Sequence, residues 1–283
     1  MKISSNIVAM MTITNMNKAN NSASNAMQRL SSGCKINSAK DDAAGLAIAN
    51  KLDLQVRAIN QANRNAMDGI SMIQTGEGAL NEIHSILDKM KTLSVQASTG
   101  SLQDEDRAKI KQEIDELVLE MKNISERTDF NGIKLLDSDE NIMIQIGANA
   151  YENLKIDCST TNMEKVFNEL GLDFKDALTG NDEIKMDTIE ECQQLITKID
   201  NAIDATSTLR GVFGAAQNRL ESVVENLDVN EENMTASLSR IYDADMAEEM
   251  TQYTQQNVIT QAGISMLAQA NQRPNQVLQL LNS

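Results

Sequence analysis

The side chains that could do chemistry are few and scattered. One histidine, His84, stands in 283 residues. No second base or nucleophile is spaced to work with it, so acid–base and nucleophilic catalysis have no pair to run on, and His84 reads as a solvated helix residue. The zincin motif is absent. Cys34, Cys158 and Cys192 are an odd number with neither metal-ligand nor redox spacing, which predicts free thiols and not a disulfide framework or zinc site. A calcium loop needs alternating ligands ending in Glu; the acidic cluster Asp104-Glu105-Asp106 lacks that pattern and reads as the negative first turn of a helix. The 16 methionines read as adaptable packing. This inventory predicts no catalytic residues, no metal and no cofactor, hence a structural or binding protein and not an enzyme.

Composition narrows the classes further. The apolar fraction is 41% and aromatics are 2%, with no tryptophan and one proline. Such a chain favours long helices packed by small and aliphatic side chains over a β-sandwich or an aromatic-lined pocket. A formal net charge of −16 argues against nucleic-acid binding, which needs clustered Lys and Arg. The charge is uneven: residues 1–100 hold ten Lys/Arg against seven Asp/Glu, whereas residues 221–283 hold two against nine. Mutual approach of the two ends is weakly favoured. No run of about 18 apolar residues is present, and Met1-Lys2-Ile3-Ser4-Ser5-Asn6 lacks the apolar core of a signal peptide. The expectation is neither a membrane span nor an ordinary signal-peptide secretory protein, so departure from the cell needs another route.

The elements that must carry any function are helical. Leu52, Gln55, Ile59, Ala62, Ala66, Gly69, Ile73, Gly76, Leu80, Ile83, Leu87, Met90, Ser94 and Ala97 recur at alternating steps of three and four. That rhythm keeps one helix face on a neighbour over roughly 70 Å at 1.5 Å per residue. Gly76 and Gly78 read as points of close helix approach. Ile110, Ile114, Leu117, Met121 and Ile124 repeat the stripe after a turn at Ser101 to Asp106, predicting an antiparallel second helix. Period-two alternation from Ile142 to Ile146 predicts a small β-hairpin region, and residues 158–187 show no repeat. From Ile199 the stripe returns through Ala202, Thr206, Leu209, Phe213, Ala216, Leu220, Val223 and Leu227, with a slip near Asn230, supplying a long partner for the first.

The predicted fold class is therefore mainly α. It is an elongated antiparallel bundle of three long rod helices, about 44–98, 104–128 and 188–228, with a β-hairpin region at 131–157 and a short variable segment at 158–187. This rod domain, 43–240, is flanked by an N-terminal arm, 1–42, and a C-terminal arm, 241–283. Both arms are rich in Asn, Ser, Ala or Gln, with thin apolar rows: Ile3, Ile7, Met27 and Leu30 in one, Ile259, Met266, Val277, Leu278, Leu280 and Leu281 in the other. So little apolar surface cannot offset ordering entropy alone, so each arm is expected to be disordered until it meets a partner, ordering as a coiled-coil arm on assembly. Gly33 is expected to end the first helix, Asp41 and Asp42 to open the next, and Pro274 to kink or break the last.

The blocks at the two ends closely resemble bacterial flagellin. They are Gln28-Arg29-Leu30-Ser31-Ser32-Gly33 with Asn37-Ser38-Ala39-Lys40-Asp41-Asp42-Ala43-Ala44-Gly45, then Arg64-Asn65-Ala66-Met67-Asp68-Gly69-Ile70-Ser71 and Gly78-Ala79-Leu80-Asn81-Glu82-Ile83. The C-terminal blocks are Ser239-Arg240-Ile241-Tyr242-Asp243-Ala244-Asp245 and Leu267-Ala268-Gln269-Ala270-Asn271-Gln272, followed by Val277-Leu278. The similarity spans about residues 1–135 and 195–283. Cys34 departs from the family's usual non-cysteine residue.

The resemblance implies a subunit that polymerises into the extracellular flagellar filament and so gives motility, with the two arms building an inner tube inside a layer of rods. It implies export of the unfolded chain through the flagellar type III apparatus, a chaperone on the C-terminal arm, and filament cap and junction proteins as partners. The alternative sharing the terminal architecture is the hook-filament junction protein. In relatives, a vertebrate cell-surface flagellin receptor reads positions matched here by Lys89, Leu93 and Glu113. Lysine replaces the family's arginine and loses its bidentate fork, and Thr92 replaces an acidic residue. Leu278, Leu280 and Leu281 match leucines read by a cytosolic flagellin sensor.

Overall fold

Asp42 starts the longest stripe-bearing helix by accepting the Gly45 backbone N–H on its Oδ1 at 2.9 Å, the bond of an N-cap. Helix α2, Ala43–Ala97, follows without interruption. The computed structural model describes residues 6–137, 141–156, 163–171, 186 and 188–281, with side chains as far as Gln272. The fold is mainly α, and the chain divides into two compact units: residues 57–231, and residues 1–56 together with 232–283.

In the 57–231 unit the predicted stripe is the core. Ile59, Ala62, Ala66, Gly69, Ile73, Gly76, Leu80, Ile83, Leu87, Met90, Ser94 and Ala97 are all buried. Its partners are α3, Asp104–Arg127, burying Ile110, Ile114, Val118 and Met121, and α5, Ile189–Tyr242, burying Leu195, Ile199, Ala202, Leu209, Phe213 and Leu220. All three acidic residues Asp104, Glu105 and Asp106 lie in the first turn of α3, where the helix dipole favours them. The buried hydroxyls of Ser94 and Thr206 donate to the Met90 and Ala202 carbonyls one turn back, both at 2.8 Å, which lets polar residues occupy the stripe.

Polar pairs fix the direction of α5 on α2. Asn60 donates to Glu231 at 2.9 Å, Asn63 donates to Asp228, Arg210 meets Glu77 at 3.6 Å and Lys91 meets Asp200. As the number climbs along α2 it falls along α5, so the two are antiparallel. Gly76 permits the approach: a Cβ there would lie 2.8 Å from Cε2 of the buried Phe213. At Gly69 it would lie 2.5 Å from Ile144 and 3.2 Å from Leu220.

Several expectations are corrected. Gly78 meets nothing within 4 Å and is exposed, so close approach belongs to Gly76, which sits on the stripe, and not to Gly78. The third helix does not stop at 228; α5 runs through Asn230 to Tyr242, because the slip shifts the stripe without a residue that breaks the helix. The predicted β-hairpin region is present, and among the described residues it holds two antiparallel pairs. β1, Asp129–Phe130, joins β2, Ile133–Lys134, through the positive-φ residues Asn131 and Gly132. β3, Ile142–Gln145, pairs with β4, Asn153–Ile156, in the register Ile142 with Ile156 and Ile144 with Leu154. The segment 158–187 contains a further helix, α4, Glu164–Leu170, which buries Val166, Phe167 and Leu170 beside Met163. Two turns are too short for periodicity to announce. Cys158 lies outside the described residues, and Cys192 is buried with its thiol toward the Met186 carbonyl. His84 is half-buried on α2 with part of its ring open to solvent, its Nε2 lying 3.8 Å from Asp88.

The glycine geometry predicts opposite outcomes for two neighbouring substitutions. Gly76→Ala should lower monomer stability by about 1–3 kcal/mol through overpacking against Phe213. Gly78→Ala should raise it by roughly 0.5–1 kcal/mol through helix propensity alone. Denaturant melts of the two variants check the pair.

Candidate functional site

The second unit is built on two paired helices. α1, Ile7–Ser32, is N-capped by Asn6, whose Oδ1 accepts the Ala9 N–H at 3.1 Å, and ends at Gly33 in the left-handed conformation with φ 71°. α6, Met246–Leu281, begins with Asp245 Oδ1 accepting the Ala247 and Glu248 backbone N–H groups. The Asn6 amide donates to the Ala270 carbonyl at 2.9 Å, Thr260 donates to Asn20 at 3.2 Å, and Arg29 pairs with Glu249 at 2.9 Å. These contacts make α1 and α6 antiparallel. The helix continues through Pro274 to Leu281, so the proline removes one backbone donor without ending the helix.

What the pair buries is small. On α1 the inner stripe is Ala9, Thr12, Met16, Ala19, Ala23 and Ala26; on α6 it passes Tyr253, Thr260, Gly263, Leu267 and Ala270. The large apolar residues face outward: Ile7, Val8, Met10, Met11 and Met27 on α1, and Met250, Val258, Ile259, Ile264 and Met266 on α6, are each at least 41% exposed. A groove of about 550 Å³ lies along Met250, Thr254, Val258 and Ile259. So much exposed apolar surface on one pair of helices is the mark of an interaction surface.

Of the residues assigned to the arms, Ile7, Met27, Ile259 and Met266 lie on this outer face, and Leu30 is half-buried. Ile3 lies outside the described residues, as do the side chains of Val277, Leu278, Leu280 and Leu281. The arms were expected to lack structure alone. Here each is helical because each supplies the other's partner, through an alanine-rich stripe that leaves most of the large apolar side chains unused.

One charged residue interrupts the alanine face. Glu249 is only 6% exposed, and its Oε1 receives Arg29 while Oε2 has no hydrogen-bond partner among the described residues. In an interface of small residues a one-turn slip would lose little area, so this buried carboxylate with its single cation makes slippage unfavourable and holds the register. At the end of the pair, the Lys35 N–H donates to the Tyr242 carbonyl at 2.7 Å and the Ala244 N–H to the Gly33 carbonyl at 2.9 Å. These bonds bridge Cys34 to Asp243 and account for the packing of Cys34. A side-chain hydrogen bond with Cys34 raises the Tyr242 pKa above its usual value. Nearby, hydrogen bonds from the Ser38 hydroxyl and from the Asn37 and Ser38 backbones hold the Asp41 carboxyl below its ordinary pKa.

Within the 57–231 unit, Lys89 and Glu113 meet at 2.8 Å across α2 and α3, each about half exposed. Leu93 is half-buried and packs against the core. The three matched positions thus lie on two neighbouring helices, but the lysine is already engaged by the glutamate. Sequence reasoning missed the alanine stripe and the Arg29–Glu249 pair; the first was visible as Ala19, Ala23 and Ala26 at helical spacing, while the second joins residues 220 apart.

The family model described as the bacterial flagellin N-terminal helical region matches residues 3–141, and that of the bacterial flagellin C-terminal helical region matches residues 196–281. The flagellin of Halalkalibacterium halodurans is 43% identical over 282 residues, covering 99% of this chain and 100% of that protein. The flagellar filament 31.3 kDa core protein of Treponema maltophilum is 38% identical over 293 residues, covering 99% of this chain and 100% of its own. A solved structure of a putative flagellar hook-associated protein from Vibrio parahaemolyticus has a TM-score of 0.59 at 13% identity, covering 72% of this chain and 100% of that one. That last likeness is one of fold alone.

The buried pair yields a prediction for the α1–α6 interface. Arg29→Ala leaves Glu249 buried without its cation and should weaken the pairing by about 2–3 kcal/mol, the low end for a buried pair because Arg29 keeps part of its surface in water. Amide exchange should accelerate along α1 and α6 and stay unchanged in α3. The double change Arg29→Met with Glu249→Leu should restore most of the protection.

Proposed function

Because the chain belongs to the bacterial flagellin family and is a structural subunit of the flagellar filament, we propose that it polymerises by folding-coupled packing of its terminal helices. The observation that carries this reading is the outward row of large apolar residues on α1 and α6. A pair held by alanines has little stability of its own, and stacking against identical pairs covers the outer rows and completes the ordering. A contact that repeats without closing grows a filament.

The filament is extracellular, and the route we propose is export of the unfolded chain by the flagellar type III apparatus. A chaperone covers the apolar face of the C-terminal arm before export, and cap and junction proteins meet the subunit at the filament ends. The same exposed residues that drive assembly need such cover in the cell. The part we propose is structural, and membership of the flagellin family supports it.

We further propose Lys89, Leu93 and Glu113 as the contact for the vertebrate cell-surface flagellin receptor. Their placement on adjacent α2 and α3 supports it. The exposed Lys89–Glu113 pair is worth no more than about 1 kcal/mol, so a receptor can reopen it.

Two tests follow. Deleting residues 264–283 should leave the 57–231 unit folded by circular dichroism while abolishing filaments in electron micrographs; normal filaments would refute the assembly route. Leu93→Ala should reduce receptor-reporter activation about tenfold, and unchanged potency would remove that site.

A further inference from the structure

Methionine is sorted by exposure along this chain. In the 57–231 unit Met72, Met90, Met121, Met163 and Met186 lie in the core, each no more than 6% exposed. Among the described residues eight methionines are exposed, and six of them sit on α1 and α6: Met10, Met11, Met27, Met246, Met250 and Met266, between 48% and 66% open. Met67 and Met143 are the other two. None of the six belongs to the inner stripe of the pair. The stripe's own methionine, Met16, is half-buried and faces Gly263, where a Cβ would lie 3.8 Å from it. Most of the accessible thioethers thus lie on the outer rows, apart from the contact that holds α1 to α6.

A thioether packs like an aliphatic side chain but reacts as leucine and isoleucine do not. Its sulfur lone pair attacks one oxygen of hydrogen peroxide. The S–O bond forms as the O–O bond breaks, and the departing hydroxide takes the proton of the transferred oxygen to become water. Sulfur loses two electrons, the peroxide gains them, and a sulfoxide remains. Its oxygen is a strong acceptor that is costly to bury without a donor. The neighbours in the rows, Ile7, Val8, Ile259 and Ile264, offer no side-chain donor. In the groove along Met250 the hydroxyls of Thr251 and Thr254 already donate to the Ala247 and Met250 carbonyls, both at 2.8 Å.

We propose that these six methionines are an oxidation switch on assembly: peroxide converts them to sulfoxides in the unassembled chain and stops it polymerising, and reduction restores it. The inference rests on the reading that the outer rows are covered when subunits stack, and it adds a regulatory chemistry to that surface. Position makes the effect selective. The alanine stripe and the Arg29–Glu249 pair contain no exposed sulfur, so the α1–α6 pair survives while its outer face turns polar. The core methionines are shielded by burial, so the 57–231 unit keeps its packing. The reverse step uses a methionine sulfoxide reductase, whose two thiols supply two electrons and two protons; the sulfoxide oxygen leaves as water and a disulfide forms. Once stacked, the rows exclude the oxidant, so a finished filament resists it where the free chain does not.

The test treats full-length monomer with hydrogen peroxide, then with catalase and dithiothreitol, which remove the oxidant and return disulfides to thiols without reducing sulfoxides. Peptide mass spectrometry should find one added oxygen on each of the six and none on Met72, Met90 or Met121, with the circular dichroism spectrum unchanged. The critical concentration for polymerisation should rise about tenfold or more. The two sulfoxide reductases, one for each epimer, should bring it back to within a few-fold. A chain with Met→Leu at all six positions should polymerise equally well before and after peroxide; a loss on treatment overturns the switch. Met67→Leu with Met143→Leu keeps the six and should stay sensitive, so a resistant double variant overturns it too, whether or not the six-leucine chain assembles. In filaments treated after assembly the six should gain oxygen at least about tenfold more slowly. Protection in the filament, together with an oxidised monomer that polymerises normally, overturns the switch alone. Equal oxidation of filament and monomer overturns the covering of the rows as well.

Discussion

The closeness with which α5 can lie on α2 governs the 57–231 unit. At Gly76 the Phe213 ring occupies the space a side chain would need, and at Gly69 Ile144 and Leu220 do the same. Backbone here stands in for side chain, so the aromatic and aliphatic groups of α5 reach the helix surface and exclude water along the seam. Because interiors are packed to the density of organic crystals, such a seam tolerates neither extra methylenes nor gaps, and the antiparallel polar pairs from Asn60 to Lys91 confirm a single register along it.

The α1–α6 pair is organised on the reverse principle. Its inner face is rich in alanine, with Met16, Tyr253 and Leu267 half-buried along it, and its outer face is isoleucine, valine and methionine. Close helix approach through small residues gives dispersion contacts but removes little apolar area from water, whereas the outer residues have most of their area still to bury. The two units thus use their large side chains differently: one spends them on its own fold, the other leaves them uncovered. Glu249 fits that division, because a face built mostly of small side chains needs some other means of fixing which turn lies opposite which.

How much of this was legible in the sequence depends on side-chain size. The α2 seam could be read position by position, since large apolar residues at three-four spacing have one explanation, and Gly76 could be named because it falls on the stripe. Gly78 falls off it and has no such role. The inner face of α1 is not legible because alanine at helical spacing is hidden among other alanines, while the larger Ile7 and Met27, which stand out in the sequence, lie outside. Arg29 and Glu249, far apart in the chain, carry no local signal of each other. Nor does Tyr151, between β3 and β4, announce its left-handed backbone of φ 71°, in a loop where Gln145 and Glu152 both bond to Asn149. Leu93, one step off the stripe, was legible as either core or surface, and it packs on the core while staying partly open.

The register of α5 on α2 also bears on the order in which the chain gains structure. Asn60 finds Glu231 across 171 residues and Asn63 finds Asp228 across 165, whereas α3 follows α2 after a short turn. Loop-closure entropy therefore lets the α2–α3 hairpin condense first and makes the docking of α5 the late, slow step. Until the last long helix has arrived, the stripe from Ile59 to Ala97 has only half its cover. The chain's connectivity is thus a built-in delay, keeping it open for longer than the same helices would stay if α5 came directly after α3.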